Sequence, residues 1–229
     1  MRVQRNVLDD IPSLILRPGL RGFRPAVLVL AVLLSCAGAY GQTVPDSQAA
    51  LRAGDLEGAV RMGLREIAAD ERAMDSYVAL CSALLALGRY EEAMRHAGIA
   101  RGINRNDPRI IELLARAYFH VGNNLEALRH FQQYINASSE SGSRQFAYYY
   151  IGEIFIRMGR FRHADIALTT ALYMLPGEPL WWTRLAFARE GSGDLLQAAA
   201  AYEKALELDP TLTDARRGLQ RVRLALAGR

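Results

Sequence analysis

WTRLAFAREGSGDLLQAAAAYEKALELDP, residues 182–210, reads as two short amphipathic helices joined at Gly193 and stopped by Pro210. Trp182, Leu185 and Ala186 share one face at helical spacing, and Ala198, Tyr202 and Ala205 share another. Neither helix can bury such a face alone, and the same pattern recurs upstream. A stack of helical hairpins is therefore expected, rather than a globule around one centre.

The recurrence is marked by punctuation. Gly54, Gly88, Gly122, Gly159 and Gly193 each separate two apolar-periodic stretches, at intervals of 34, 34, 37 and 34 residues. Each is followed five residues later by an alanine: Ala59, Ala93, Ala127, Ala164 and Ala198. Glycine suits a helix C-terminus because it enters the left-handed region without steric cost. Alanine suits a place where two helices cross closely. The longer interval contains the insertion Ser141-Gly142-Ser143, and the polar run Ala137–Arg144 around it reads as a loop between two halves of the stack.

With this period and this plan the chain resembles the tetratricopeptide-repeat family. Residues 74–107 carry Tyr77, Leu80, Cys81, Leu84, Gly88, Ala93 and Ala100 at the repeat positions. Residues 108–141 carry Ile111, Leu114, Ala115, Tyr118, Gly122, Ala127 and Phe131. Residues 145–178 carry Tyr148, Ile151, Gly152, Phe155, Gly159, Ala164, Leu168, Ala171 and Pro176, and residues 179–212 match best. A degenerate repeat at 42–73 keeps Gly54, Leu56 and Ala59. After Pro210, residues 213–229 place Ala215, Leu219, Val222 and Leu226 on one helical face and Arg216, Arg217, Arg221 and Arg223 on the other, as a capping helix would. The resemblance implies an all-α fold, an α-solenoid of about four hairpins with a degenerate N-terminal hairpin and that C-terminal cap. Arg189 departs from the family, standing where a large aromatic is preferred.

Residues 1–41 read as a leader. Arg17, Arg21 and Arg24 precede the uncharged run Ala26–Leu34, which is followed by Ser35, Cys36, Ala37, Gly38 and Ala39. A positive flank, a short apolar run and a small-residue exit describe a secretory signal peptide. The run is shorter than the roughly 20 apolar residues of a membrane span. Two readings of the exit stand side by side. Ala37-Gly38-Ala39 offers a cleavage site before Tyr40 and Ala39-Tyr40-Gly41 another before Gln42, while Leu33-Leu34-Ser35-Cys36 resembles a bacterial lipobox in which Cys36 would be lipidated and tether the protein to a membrane. Either way the expected location is outside the cytoplasm, in the periplasm or cell envelope.

Composition narrows the function. Of the net charge of +4, the leader's five arginines and two aspartates supply +3, so the rest is nearly neutral and a nucleic-acid partner is not expected. Cys36 and Cys81 make neither a disulfide framework nor a metal site. His96, His120, His130 and His163 lack ligand spacing, and no nucleotide-binding, hydrolase or zinc-protease motif occurs. The expectation is a non-catalytic scaffold with no cofactor and no metal, touching a membrane only through its leader.

The resemblance also implies where a protein partner would sit. In this family the first helix of each hairpin lines a concave groove, which here maps to Val78, Ser82 and Leu85, then Arg109, Glu112, Arg116 and Phe119. It continues through Phe146, Tyr149, Glu153, Ile156 and Arg157 to Leu180, Thr183 and Phe187. Aromatic anchors with guanidinium forks suit a peptide or helix held in a groove. The lysines and asparagines with which some relatives clamp a terminal carboxylate are missing from these positions. A self-associating structural component of an envelope complex, and so a homo-oligomer, is the alternative reading.

Overall fold

Five glycines turn the chain, and among the described residues they are the ones with positive φ: Gly54 at 79°, Gly88 at 74°, Gly122 at 83°, Gly159 at 68° and Gly193 at 86°. A side chain there would be strained whatever the space around it. At each turn the next N–H reaches back five residues, as Arg89 N does to Leu84 O at 2.9 Å and Asp194 N to Arg189 O at 2.9 Å. That closes the preceding helix in the manner of a Schellman motif. The donating residue is at once the N-cap of the next helix. Asp55, Asn123 and Asp194 fill that place with side chains accepting from the N–H groups of Gly58, Glu126 and Gln197.

The computed structural model describes residues 46–138 and 143–228. Eleven helices occur there. A short α1 (Ser47–Arg52) pairs with α2 (Leu56–Ala69), and α3 (Met74–Ala86) with α4 (Tyr90–Ile103). Next come α5 (Pro108–His120) with α6 (Asn124–Ala137), α7 (Arg144–Arg157) with α8 (Phe161–Met174), and α9 (Pro179–Ser192) with α10 (Leu195–Leu208). A single α11 (Thr213–Ala227) ends the stack. Pro108 and Pro179 each open a helix, where the missing N–H has no intrahelical partner to lose. The first helix of each hairpin also packs on the first helix of the next, so α3, α5, α7, α9 and α11 form one continuous face. Leader residues 1–41, Cys36 among them, and the centre of the 137–144 loop lie outside the described residues.

Packing follows the small residues. Ala59, Ala93, Ala127, Ala164 and Ala198 are all buried, each where a second helix crosses its first. Gly152 marks a close approach of α7 to α8, since a Cβ there would stand 2.5 Å from Leu168 Cγ. Cys81 is fully buried with its sulfur 3.7 Å from Ala93 O, and burial pushes the thiol up to about 12, so it sits in the core as a small packing residue. Three apolar clusters run along the stack. Leu80 and Leu84 anchor the first, Phe131 and Ile154 the second, and Leu185 and Tyr202 the third. Each such side chain contributes on the order of 1.5–3 kcal/mol by leaving water.

The degenerate first hairpin keeps its turn but shortens α1 to 6 residues. Hydrogen bonds compensate: Ser47 is buried, with its N–H and hydroxyl both donating to the Glu66 carboxylate. At the other end α11 buries Ala215, Gly218, Leu219 and Val222, while its arginines stay exposed. Arg189 replaces an aromatic by reaching α8, where its Nε sits 3.0 Å from Asp165 Oδ1.

Candidate functional site

The face built by α3, α5, α7, α9 and α11 carries the residues expected to meet a partner, and their surroundings differ sharply. At its N-terminal end the arginines are tied. Arg109 donates to Asp75 Oδ1 at 2.6 Å and to both oxygens of Asp107, at 3.1 and 2.8 Å. Those bonds hold the Asp107 carboxyl below its ordinary range and raise the Arg109 guanidinium. Asp107 also caps α5 by accepting from the Arg109 N–H. Arg116 lies 3.5 Å from Glu112, whose carboxyl is pushed up by burial against the pull of that arginine.

Arg157 closes over Phe119. Its guanidinium carbon stands 3.7 Å from the ring centroid and its Nη1 donates to Phe119 O at 2.9 Å. The ring also meets Tyr150 edge-on at 5.0 Å. This alters the expected groove. Phe119 and Leu85 are buried inside apolar clusters, and Thr183 is buried with its hydroxyl donating to Pro179 O. A residue facing off its own hairpin's stripe meets the next hairpin there, so these three are packing residues. Val78 and Ile156 are half-buried against the same clusters.

At the C-terminal end the face opens. Tyr149, Leu180, Arg184, Phe187, Leu212 and Arg217 line a cleft of about 500 Å³, with Thr183 and Tyr202 in its floor and α11 as one wall. Leu180 is 59% exposed and Phe187 38%, and the neighbouring Phe146 is 42% exposed, so the apolar surface is open to a ligand. Tyr149 stacks on Trp181 at 4.9 Å, and burial, then Glu153, pushes its hydroxyl up to about 12. Arg184 holds Glu153 through two bonds of 2.6 and 2.9 Å and lies 5.3 Å from the Phe187 ring. Arg221 does the same to Glu190, at 2.8 Å twice, while Tyr202 donates to that carboxylate. Arg217 makes no ion pair among the described residues. The cleft thus offers apolar walls with Arg217 and Asp214, three residues apart on α11 and neither ion-paired among the described residues, the means to seat an apolar side chain beside a polar group. Among the described residues no group of His, Cys, Asp and Glu is placed to hold a metal.

Tyr149, Leu180, Phe187 and, in the floor, Thr183 are the expected residues that the fold brings together in this cleft. Arg184 was not anticipated, and Arg217 was expected on the polar face of the cap rather than in the groove. Arg217's signal was its spacing from Thr213 and Asp214, one edge of α11 beside its buried stripe.

No curated protein matches the chain in sequence. The tetratricopeptide-repeat family matches residues 179–212, and the bacterial transcriptional activator domain family matches residues 54–144. Among solved structures, MamA (41-end) from Desulfovibrio magneticus RS-1 is similar, with TM-score 0.62 and 20% identity over 67% of this chain and 85% of that one. YrrB, described as a TPR protein with an unusual peptide-binding site, gives 0.64 and 15% over 74% and 86%. The C-terminal part of a TPR repeat-containing protein from Cytophaga hutchinsonii gives 0.68 and 16% over 80% and 70%. At these identities the likeness speaks for the fold. Its period, its turns and the family match on the α9–α10 hairpin agree: the described residues fold as a solenoid of the tetratricopeptide-repeat type, with a tetratricopeptide repeat at residues 179–212.

Proposed function

We propose that the protein is a non-catalytic scaffold that holds a segment of another protein on its first-helix face, seated in the C-terminal cleft. The observation that carries this is the exposure of Leu180 and Phe187 inside a cleft also lined by Arg217, on a face whose other arginines are tied to carboxylates or carbonyls. Apolar side chains at the centre supply affinity, and a cation at the rim supplies orientation. Peptide binding by YrrB, a neighbour in fold, lends this reading support by analogy.

The leader supports a place of action in the periplasm or envelope, with or without a lipid at Cys36. Mass spectrometry of the mature N-terminus tests that part. A start at Tyr40 or Gln42 means cleavage, an acylated Cys36 means a tether, and an intact Met1 removes the proposal.

The binding role is tested by pull-down from envelope extract with the wild type and with Leu180→Ser/Phe187→Ser/Arg217→Glu. All three positions are outside the packed clusters or at their edge, so the variant should unfold close to wild type. Loss of the wild type's partners from a folded variant is the expected result. Retention of every partner removes the cleft from the function.

A further inference from the structure

Away from the first-helix face, the ends of α4 and α6 and the loop between α4 and α5 enclose a second cavity, of about 330 Å³. Arg101, Arg105, Asn106, Gln133 and Asn136 line it over the buried Ile111, without a carboxylate among them. The hydrogen bonds orient these groups. Gln133 Oε1 accepts from Arg101 Nη2 at 2.9 Å and faces His130 Nδ1 at 3.1 Å. Arg101 Nη1 lies over the same ring, 3.0 Å from His130 Nδ1 and 3.2 Å from Nε2. With its oxygen held by Arg101, Gln133 has its NH2 free to donate. Asn136 Oδ1 accepts from Gln132 Nε2 at 3.2 Å, which leaves its NH2 free to donate as well. Arg101, Arg105, Gln133 and Asn136 can therefore each present N–H groups to the cavity.

Charge leans the same way. Arg101 and Arg105 make no ion pair among the described residues, and the nearby Glu126 is taken by Arg129 at 2.5 Å. Burial, then Arg129 and Arg105, holds the Arg101 guanidinium below its ordinary range. Two helix C-termini lie here, and arginines commonly answer such dipoles. Each end carries only about half a charge, and its effect fades within a turn, so two guanidinium groups leave a positive surplus. We propose that this cavity is a binding site for a phosphate-class oxyanion, either free phosphate or a phosphomonoester. The positive surplus favours an anion, and donors converging from two helices and a loop suit a tetrahedral oxyanion better than a flat carboxylate. The volume lies at the small end of ligand sites, roughly 300–1,000 Å³, and suits a small group rather than a helix.

Titration calorimetry on the full chain, with inorganic phosphate at fixed ionic strength in chloride buffer, tests this. Saturable one-site binding is expected, weakened about tenfold by Arg105→Ala and lost in Asn136→Asp. Both positions are exposed, so the fold is retained, as circular dichroism would verify. Arg216→Ala, an exposed arginine on α11, should bind as wild type does. A parallel titration with O-phosphoserine separates the sources: tighter binding than phosphate means an esterified ligand, equal binding a free anion. No saturable binding of either probe overturns the proposal. So does equal weakening by Arg105→Ala and Arg216→Ala, which would mean diffuse attraction without a site.

Discussion

The two ends of the first-helix face use the same kinds of residue differently. Around α3 and α5, Arg109 is clasped by Asp75 and Asp107, Leu85 is buried, and Arg157 lies over Phe119. Around α9 and α11, Leu180 and Phe187 remain exposed beside an unpaired Arg217. The period explains the ties. A repeat of 34 residues brings each first-helix position beside one about 31–34 residues later, as in Asp75–Arg109, Glu153–Arg184 and Glu190–Arg221. An arginine on this face is then, by default, a joint between hairpins. What a partner can use is what the joints leave over.

The strongest way to break this contrast is to truncate one phenylalanine at each end. Phe119→Ala empties a site enclosed by Arg157, Tyr150 and His120, and should cost about 3–5 kcal/mol in urea unfolding. Phe187→Ala removes a ring that is already open to solvent and should stay within about 1 kcal/mol of wild type, while weakening partner capture. Equal costs would mean that the two ends do not differ.

Much of this architecture could be read without coordinates, for a physical reason. A left-handed turn admits glycine almost alone, and a close helix crossing admits alanine, so Gly88 and Ala93 mark structure wherever they recur. Helical spacing likewise placed Ala215, Leu219 and Val222 on the buried face of α11. The groove was less legible. Spacing reports which face a helix turns to its own hairpin partner, but not which residues the next hairpin covers. Phe119, Leu85 and Thr183 fall in that blind angle and are buried. The converse error hid Arg217, which lay on what read as an outer polar face of α11 yet lines the cleft.

A smaller effect is expected where the cap meets the stack. A Cβ on Gly218 would lie 2.2 Å from Tyr202 Cζ, in a ring that is buried and bonded to Glu190. Gly218→Ala should therefore cost about 1–3 kcal/mol by overpacking, and it should disturb the wall that α11 gives the cleft. Phe119→Ala leaves that wall alone. If Gly218→Ala keeps full partner binding, the cap is only a lid on the core.

The N-terminal end should also be the more sensitive to acid. His130 is buried beneath Tyr118, with Arg101 and Gln133 on its ring and Arg129 and Glu126 alongside. Burial first, then Arg101, lowers its pKa from 6.5, so the folded protein keeps the ring neutral. A base lowered in the fold contributes stability that is complete above its unfolded value and drains away as pH falls toward the folded one. The melting temperature should drop between about pH 7 and pH 5, and His130→Gln should drop less over that window, because His96 and His120 are lowered as well and remain. Identical pH profiles would remove His130 from this account.

The finest distinction lies between two ion-paired joints of the same design. Glu153 is 13% exposed and Arg184 34%, whereas Glu190 is 21% exposed and Arg221 56%. The outer pair stands in water and in salt, so a double-mutant cycle on Glu190 and Arg221 should give a coupling of about 0.2–1 kcal/mol. That coupling should shrink between low salt and about 0.5 M, since screening there acts over a few ångströms. Tyr202 complicates the cycle by donating to Glu190, so Arg221→Ala in a Tyr202→Phe background isolates the guanidinium. The inner pair should couple more strongly and respond less to salt. If both pairs couple alike and fade alike, the inner one is solvated too, and the face grades less from end to end than its buried and exposed rings imply.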